Sequence, residues 1–137
     1  MTNQTNLKAT ATSVVLFLCL FMVSCGGGGD SQPSPWIGSY EGTYTGSEDG
    51  SYIFQVLNDG TMSATIQSPS VGTFHGSGYV AQSGQMSATM HGSGVGGPFT
   101  ITYTGTFVNV GGLITGSGNW VSTSGFTGTW SCQRTGP

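Results

Sequence analysis

Few residues in this chain carry reactive chemistry. The five carboxylates are Asp30, Glu41, Glu48, Asp49 and Asp59, and none follows a spacing that sets a nucleophile beside a base with a third group to orient it. Glu48, Asp49 and Asp59 fall among Gly, Ser and Asn, where acidic side chains serve turns by accepting backbone N–H groups. No catalytic residue is assigned, and the chain is not expected to be an enzyme. Gly26 to Gly29 follows no strand and leads to no Lys-Ser or Lys-Thr pair, so it does not form a phosphate loop. No cofactor is expected.

The two histidines, His75 and His91, are the one pair whose placement suggests metal chemistry. If a three-residue turn centred on Ser83 joins their strands, they become direct cross-strand partners on the outer face. Opposed Cβ atoms then lie about 4.5–5.5 Å apart, close enough for two imidazoles to share a zinc or copper ion. A structural metal centre is not expected, because such centres want four ligands. Of the three cysteines, Cys19 and Cys25 lie near the N-terminus and Cys132 stands alone near the C-terminus. Cys132 reads as a small buried hydrophobe.

The segment around the first two cysteines has its own logic. Residues 1–13 are polar with one positive side chain, Lys8, and Val14 to Val23 is an apolar run of ten residues. That length suits a signal-peptide core of about 7–15 residues and falls well short of the ~20 that cross a bilayer as a helix. The run ends Met22-Val23-Ser24-Cys25, which resembles the lipobox of bacterial lipoproteins, with Met22 where Leu is usual. The resemblance implies a signal peptide over 1–24, cleavage before Cys25, diacylglycerol on the Cys25 sulfur and acylation of the new amino terminus. Two or more acyl chains hold a protein firmly to a membrane where one does not. It also implies a location outside the cytoplasm. Gly26 in place of Asp after the lipidated Cys favours the outer membrane of a diderm bacterium. Residues 25–35 have tether composition, rich in Gly, Ser and Pro. With Cys19 removed and Cys25 modified, Cys132 has no intramolecular partner, and a disulfide framework is excluded.

Beyond the leader one basic residue, Arg134, stands against the five carboxylates. Nucleic-acid binding needs clustered Lys and Arg to neutralise phosphates, so a nucleic-acid partner is excluded. Electrostatic attraction to an anionic membrane face is excluded on the same ground.

What must position any site is a β-domain over 36–134. No window keeps a helical period, whereas alternation of apolar and Ser/Thr residues recurs throughout. The pattern predicts eight strands over 38–46, 51–57, 61–68, 72–80, 85–91, 99–107, 113–121 and 126–133. Gly60-Thr61-Met62-Ser63-Ala64-Thr65-Ile66 recurs, offset by 24 residues, as Gly84-Gln85-Met86-Ser87-Ala88-Thr89-Met90. Val56 and Met62 both belong inside, which demands an odd-numbered loop. Asn58-Asp59-Gly60 supplies three residues with Gly at the left-handed position, and Gln82-Ser83-Gly84 repeats the device. Strands of this length and number, with short connections, read as an antiparallel up-and-down β-barrel, with a β-sandwich as the alternative. The inner face is aromatic and includes Trp36, Tyr40, Tyr44, Tyr52, Phe54, Phe74, Phe99, Tyr103, Phe107, Trp120, Phe126 and Trp130. Inward glycines leave room for neighbouring rings. An apolar interior and a Ser/Thr exterior are the reverse of a membrane-spanning barrel.

Gly42-Thr43-Tyr44, Gly50-Ser51-Tyr52-Ile53-Phe54-Gln55-Val56 and Asp59-Gly60-Thr61-Met62 together resemble the opening strands of avidin-type barrels, over about a quarter of the domain. The resemblance implies a barrel that carries a small ligand, but the later ligand-contacting Trp positions of that family have no counterparts here. The Gly-Thr-aromatic habit is also similar to small Gly-rich bacterial lipoproteins. The expected function is a membrane-anchored interaction module whose partner is a protein, glycan or small molecule. The alternatives are a small-ligand carrier of avidin or lipocalin type and a protease-inhibitor-like barrel.

Overall fold

A computed structural model describes residues 32–137. The leader, Cys25 and its lipidation lie outside the described residues. Eight antiparallel strands follow one another: β1 Gly38–Gly46, β2 Gly50–Val56, β3 Thr61–Ser68, β4 Gly72–Val80, β5 Gln85–Gly94, β6 Gly97–Val110, β7 Leu113–Ser122 and β8 Thr127–Gly136. Each pairs with the next in sequence, and β8 pairs with β1, so the sheet closes. This is an up-and-down β-barrel. Closure decides between barrel and sandwich and leaves no sheet edge along the wall.

The alternation seen in the sequence is the physical cause of the wall. β2 and β3 bury every second residue (Tyr52, Phe54 and Val56; Met62, Ala64, Ile66 and Ser68), while their intervening residues face water. The repeated heptapeptides occupy β3 and β5, where they share one burial pattern over their first six strand residues. Both flank β4, and Gly76 and Gly78 between them give space to Ala64, Met90, Met62 and Ala88.

The turns explain the register. Leu57 N donates to Thr61 O at 2.8 Å and Gly60 N to Leu57 O at 3.0 Å, enclosing Asn58-Asp59-Gly60, and Gly60 has φ +86°. Ala81 and Gln85 enclose Gln82-Ser83-Gly84 in the same way, with Gly84 at φ +88°. These are the two turns that parity demanded. A third copy, Thr123-Ser124-Gly125 between Ser122 and Phe126, has Gly125 at φ +87° and was not anticipated from the sequence.

Direct cross-strand partners fill the interior with rings. Tyr44 faces Gly50 and Tyr52 faces Gly42, Phe99 faces Gly92, Phe107 faces Gly116, Trp120 faces Gly128, and Trp130 faces Gly118. A ring lies across each bare backbone, so glycine here creates space for its partner. Tyr40 stacks on Phe54 at 4.8 Å and meets Phe107 edge-on at 5.2 Å, joining opposite walls. Full burial of one such side chain contributes about 1.5–3 kcal/mol.

Two outward features depart from the sequence reading. Phe126, expected inside, is half exposed. It closes the third tight turn opposite Ser122, just before β8 begins, and lines the end of the barrel and not its interior. The exterior is also less uniformly polar than expected, since Ile53, Tyr79, Val108, Val110, Leu113 and Val121 are exposed. Two of these, Val110 and Leu113, belong to one finger. Residues 109–110 of β6 and 113–114 of β7 pair only with each other, past the last pairing of β6 with β5 and of β7 with β8.

Candidate functional site at the barrel mouth

An up-and-down barrel sorts its connections between two ends. At one end lie the turns 58–60, 82–84 and 111–112 together with the entering chain. Trp36 plugs this end: its indole Nε1 donates to Ala81 O at 2.9 Å and to Gln82 O at 3.3 Å, and its carbonyl accepts the Tyr40 hydroxyl at 2.6 Å. Gln32 and Ser34 are bonded to Gln82 and Asn58 at the same end. The connections 47–49, 69–71, 95–96 and 123–126 gather at the other end, where among the described residues nothing corresponds to Trp36.

That open end is the candidate site. A recess of about 50 Å³ enters between Tyr44, Phe74, Phe99, Ile101, Tyr103, Trp120 and Phe126. Phe74 and Phe99 meet edge to face at 6.0 Å on one wall, and Tyr44 and Trp120 at 5.8 Å on another. Deeper in the barrel a void of about 10 Å³ lies between Tyr52, the methionines and Trp130. The interior is packed. Outside the recess a solvent-open groove of about 590 Å³ runs past Val71, the tip 94–98, Phe99, Thr123, Ser124 and Phe126. Val95 on its rim is fully exposed.

Glu48 supplies a fixed charge at the mouth, with the exposed Asp49 beside it in the same connection. One carboxylate oxygen, Oε1, accepts the hydroxyls of Ser68 and Ser70, each at 2.6 Å, and the Ser70 amide at 3.1 Å. Ser68 Oγ in turn accepts the Val71 amide at 3.1 Å. Desolvation alone would raise the Glu48 pKa, but the bonds from Ser68 and Ser70 outweigh it and hold the carboxyl below its ordinary range. The side chain thus clamps the 47–49 connection to the 69–71 connection while staying charged. Beside it the Tyr44 hydroxyl donates to Gln67 O at 3.2 Å, and burial followed by the Glu48 charge keeps the phenol protonated.

No family model, curated protein or solved structure matches this chain. The site must therefore be read from its chemistry. A half-exposed Phe126 and a partly buried Phe99 near a fixed carboxylate suit the holding of a partner's ring, aliphatic tip or cation.

The residues singled out in the sequence fall elsewhere. His75 and His91 are direct partners between β4 and β5 on the outer wall, as the Ser83-centred turn requires. Glu41 lies outside on β1 and Asp59 in its turn, where the Thr61 hydroxyl and amide lower its pKa. Cys132 is buried, and desolvation pushes its thiol up to about 12, against a weaker bond from the Gly116 backbone. It behaves as an inert filler. Glu48, Ser68, Ser70 and Phe126 were not recognised as one site. The only sequence signal was Glu48 standing in a turn with Phe126 and Phe99 at strand ends.

Proposed function

We propose that the protein is a membrane-anchored lipoprotein whose β-barrel holds a partner at its open mouth. The observation that carries this reading is the difference between the two ends. The end that receives the N-terminal chain is plugged by Trp36, while at the far end Phe126 and Val95 are exposed, Phe99 is partly so, and Glu48 lines the same recess as the two phenylalanines. Cys25 and Gln32 are seven positions apart. As a coil such a segment spans about 15 Å, and fully extended no more than about 25 Å. Lipid on Cys25 would then hold the plugged end near the bilayer and turn the mouth away from it.

A small-ligand carrier is less well supported. Ligand sites commonly enclose about 300 Å³ or more, and the recess offers about 50 Å³. Contact at the rim, with one ring or side-chain tip entering the recess, fits the dimensions better.

The anchor is tested by mass spectrometry of the mature protein from cells. The expected result is an acylated Cys25 at the N-terminus, with Cys25→Ala releasing the protein from membranes. An unmodified N-terminus elsewhere defeats the anchor. The mouth is tested by photo-crosslinking residues placed at Val95 and, as a control, at Gln85 near the plugged end. Capture from Val95 but not Gln85, reduced by Phe126→Asp, is expected. Equal capture from both, or indifference to Phe126→Asp, defeats the mouth as the binding surface.

A further inference from the structure

The chain has two histidines, and both stand at one point of the outer wall, away from the mouth. His75 on β4 and His91 on β5 are exposed direct partners, so their Cβ atoms are about 4.5–5.5 Å apart. Each ring is held from its outer side. His75 Nδ1 lies 3.1 Å from Thr65 Oγ1 on β3, and His91 Nδ1 lies 3.2 Å from Thr100 Oγ1 on β6. Thr65 is the register partner of His75, and Thr100 that of His91, so the row Thr65–His75–His91–Thr100 crosses four strands. In both rings Nδ1 is thereby engaged and Nε2 is not hydrogen-bonded to any described residue.

We propose that Nε2 of His75 and Nε2 of His91 together bind one divalent transition-metal ion. When Nδ1–H donates to the threonine hydroxyl, the lone pair sits on Nε2, available to a metal. Metal-ligating histidines ordinarily donate their other ring N–H to an oxygen in this way, which fixes tautomer and ring direction. Metal–nitrogen bonds of about 2.0–2.1 Å require the two Nε2 atoms to come within about 4 Å of each other, which opposed side chains on neighbouring strands can reach. Among the described residues no third His, Cys, Asp or Glu joins them. The neighbours on this face are the hydroxyls of Thr73, Ser77 and Thr89, so water or a small exogenous ligand completes the coordination. Two imidazoles with oxygen donors suit a tetragonal ion, and the order of divalent affinities puts Cu²⁺ above Ni²⁺ and Zn²⁺. The site is independent of the lipid anchor and of the mouth.

The test is calorimetric titration of the intact mature chain with Cu²⁺, Ni²⁺ and Zn²⁺ salts in a non-chelating buffer, with electron paramagnetic resonance of the Cu²⁺ form. One equivalent of Cu²⁺ bound more tightly than Zn²⁺, with hyperfine structure from two imidazole nitrogens, is expected. His75→Ala and His91→Ala should each weaken binding tenfold or more, and the double variant should abolish it. Thr65→Val removes a ring-orienting partner and should weaken binding about tenfold. Both histidines are exposed, so matching circular dichroism and melting curves will show that the variants fold. Cu²⁺ bound with unchanged affinity by the double variant, or by either single variant, overturns the proposal. So does a spectrum with a single nitrogen ligand.

Discussion

Gly128 and Gly96 differ in what a single methyl group would meet. A Cβ on Gly128 would run into the backbone carbonyl of Thr45 and come within 2.5 Å of Trp120 Nε1, which donates to that same carbonyl at 3.1 Å. A Cβ on Gly96 meets nothing within 4 Å. Overpacking a filled core costs about 1–3 kcal/mol. Gly128→Ala should therefore lower stability by about that amount, and Gly96→Ala should leave it within about 0.5 kcal/mol, as exposed sites do. Chemical denaturation of the two variants checks this. Equal stabilities would mean that the rings do not depend on the bare backbone beside them. This glycine–aromatic pairing was legible in the sequence because alternation puts Tyr44 and Gly50, or Trp120 and Gly128, on one face. The misplacement of Phe126 has the same root, since alternation gives the face of a residue but not the point at which the wall stops.

Turns carried more information than strands. Asn58-Asp59-Gly60 and Gln82-Ser83-Gly84 set register through parity, and from the second the meeting of His75 with His91 follows. The matching turn at 123–125 was harder to see, because Ser and Thr on both sides blur where β7 ends. The mouth was illegible for a related reason. Glu48, Ser70, Phe99 and Phe126 lie in or beside four different connections, and their convergence depends on closure of the whole ring of strands. The β6–β7 finger offers a test at this scale. Gly111 and Gly112 both have positive φ, +61° and +92°, as a two-residue type I′ turn requires. Asn suits the first of these positions, and a Cβ on Gly111 meets nothing within 4 Å. Gly111→Asn should raise stability by up to about 1 kcal/mol, by restricting the unfolded chain. Gly112→Val should lower it, because a β-branched residue resists positive φ. A stabilising Gly112→Val would contradict the turn assignment.

The whole barrel should respond to pH from both sides, for opposite reasons. Glu48 has a folded pKa below its unfolded one, so its contribution is present above the ordinary glutamate range. It is lost as pH falls through the lower folded value. Glu48→Gln should flatten the acid limb of a melting-temperature profile and leave the alkaline limb unchanged. The alkaline limb belongs to the interior. Burial pushes Tyr40 up to about 12 and raises Tyr44, Tyr52 and Tyr103 as well. Three of their hydroxyls are committed to carbonyls: Tyr40 to Trp36 O at 2.6 Å, Tyr44 to Gln67 O at 3.2 Å, and Tyr52 to Ser131 O at 3.0 Å over the bare backbone of Gly42. A phenolate could not donate those bonds. The unfolded chain releases these protons near the ordinary value of 10.0, whereas the folded barrel retains them. Above that pH the unfolded state binds fewer protons than the native one, so stability falls as pH rises toward the folded values. Because the four phenols share one packed interior, they should ionise with the collapse of the wall and not one by one. In a Tyr79→Phe background, which removes the one exposed phenol among the described residues, absorbance at the phenolate band and near-ultraviolet circular dichroism, followed together above pH 9, should therefore change in a single transition. Completion of most of the phenolate signal while the aromatic dichroism stays native would mean that these tyrosines reach water without unfolding, and that the barrel is not packed as described.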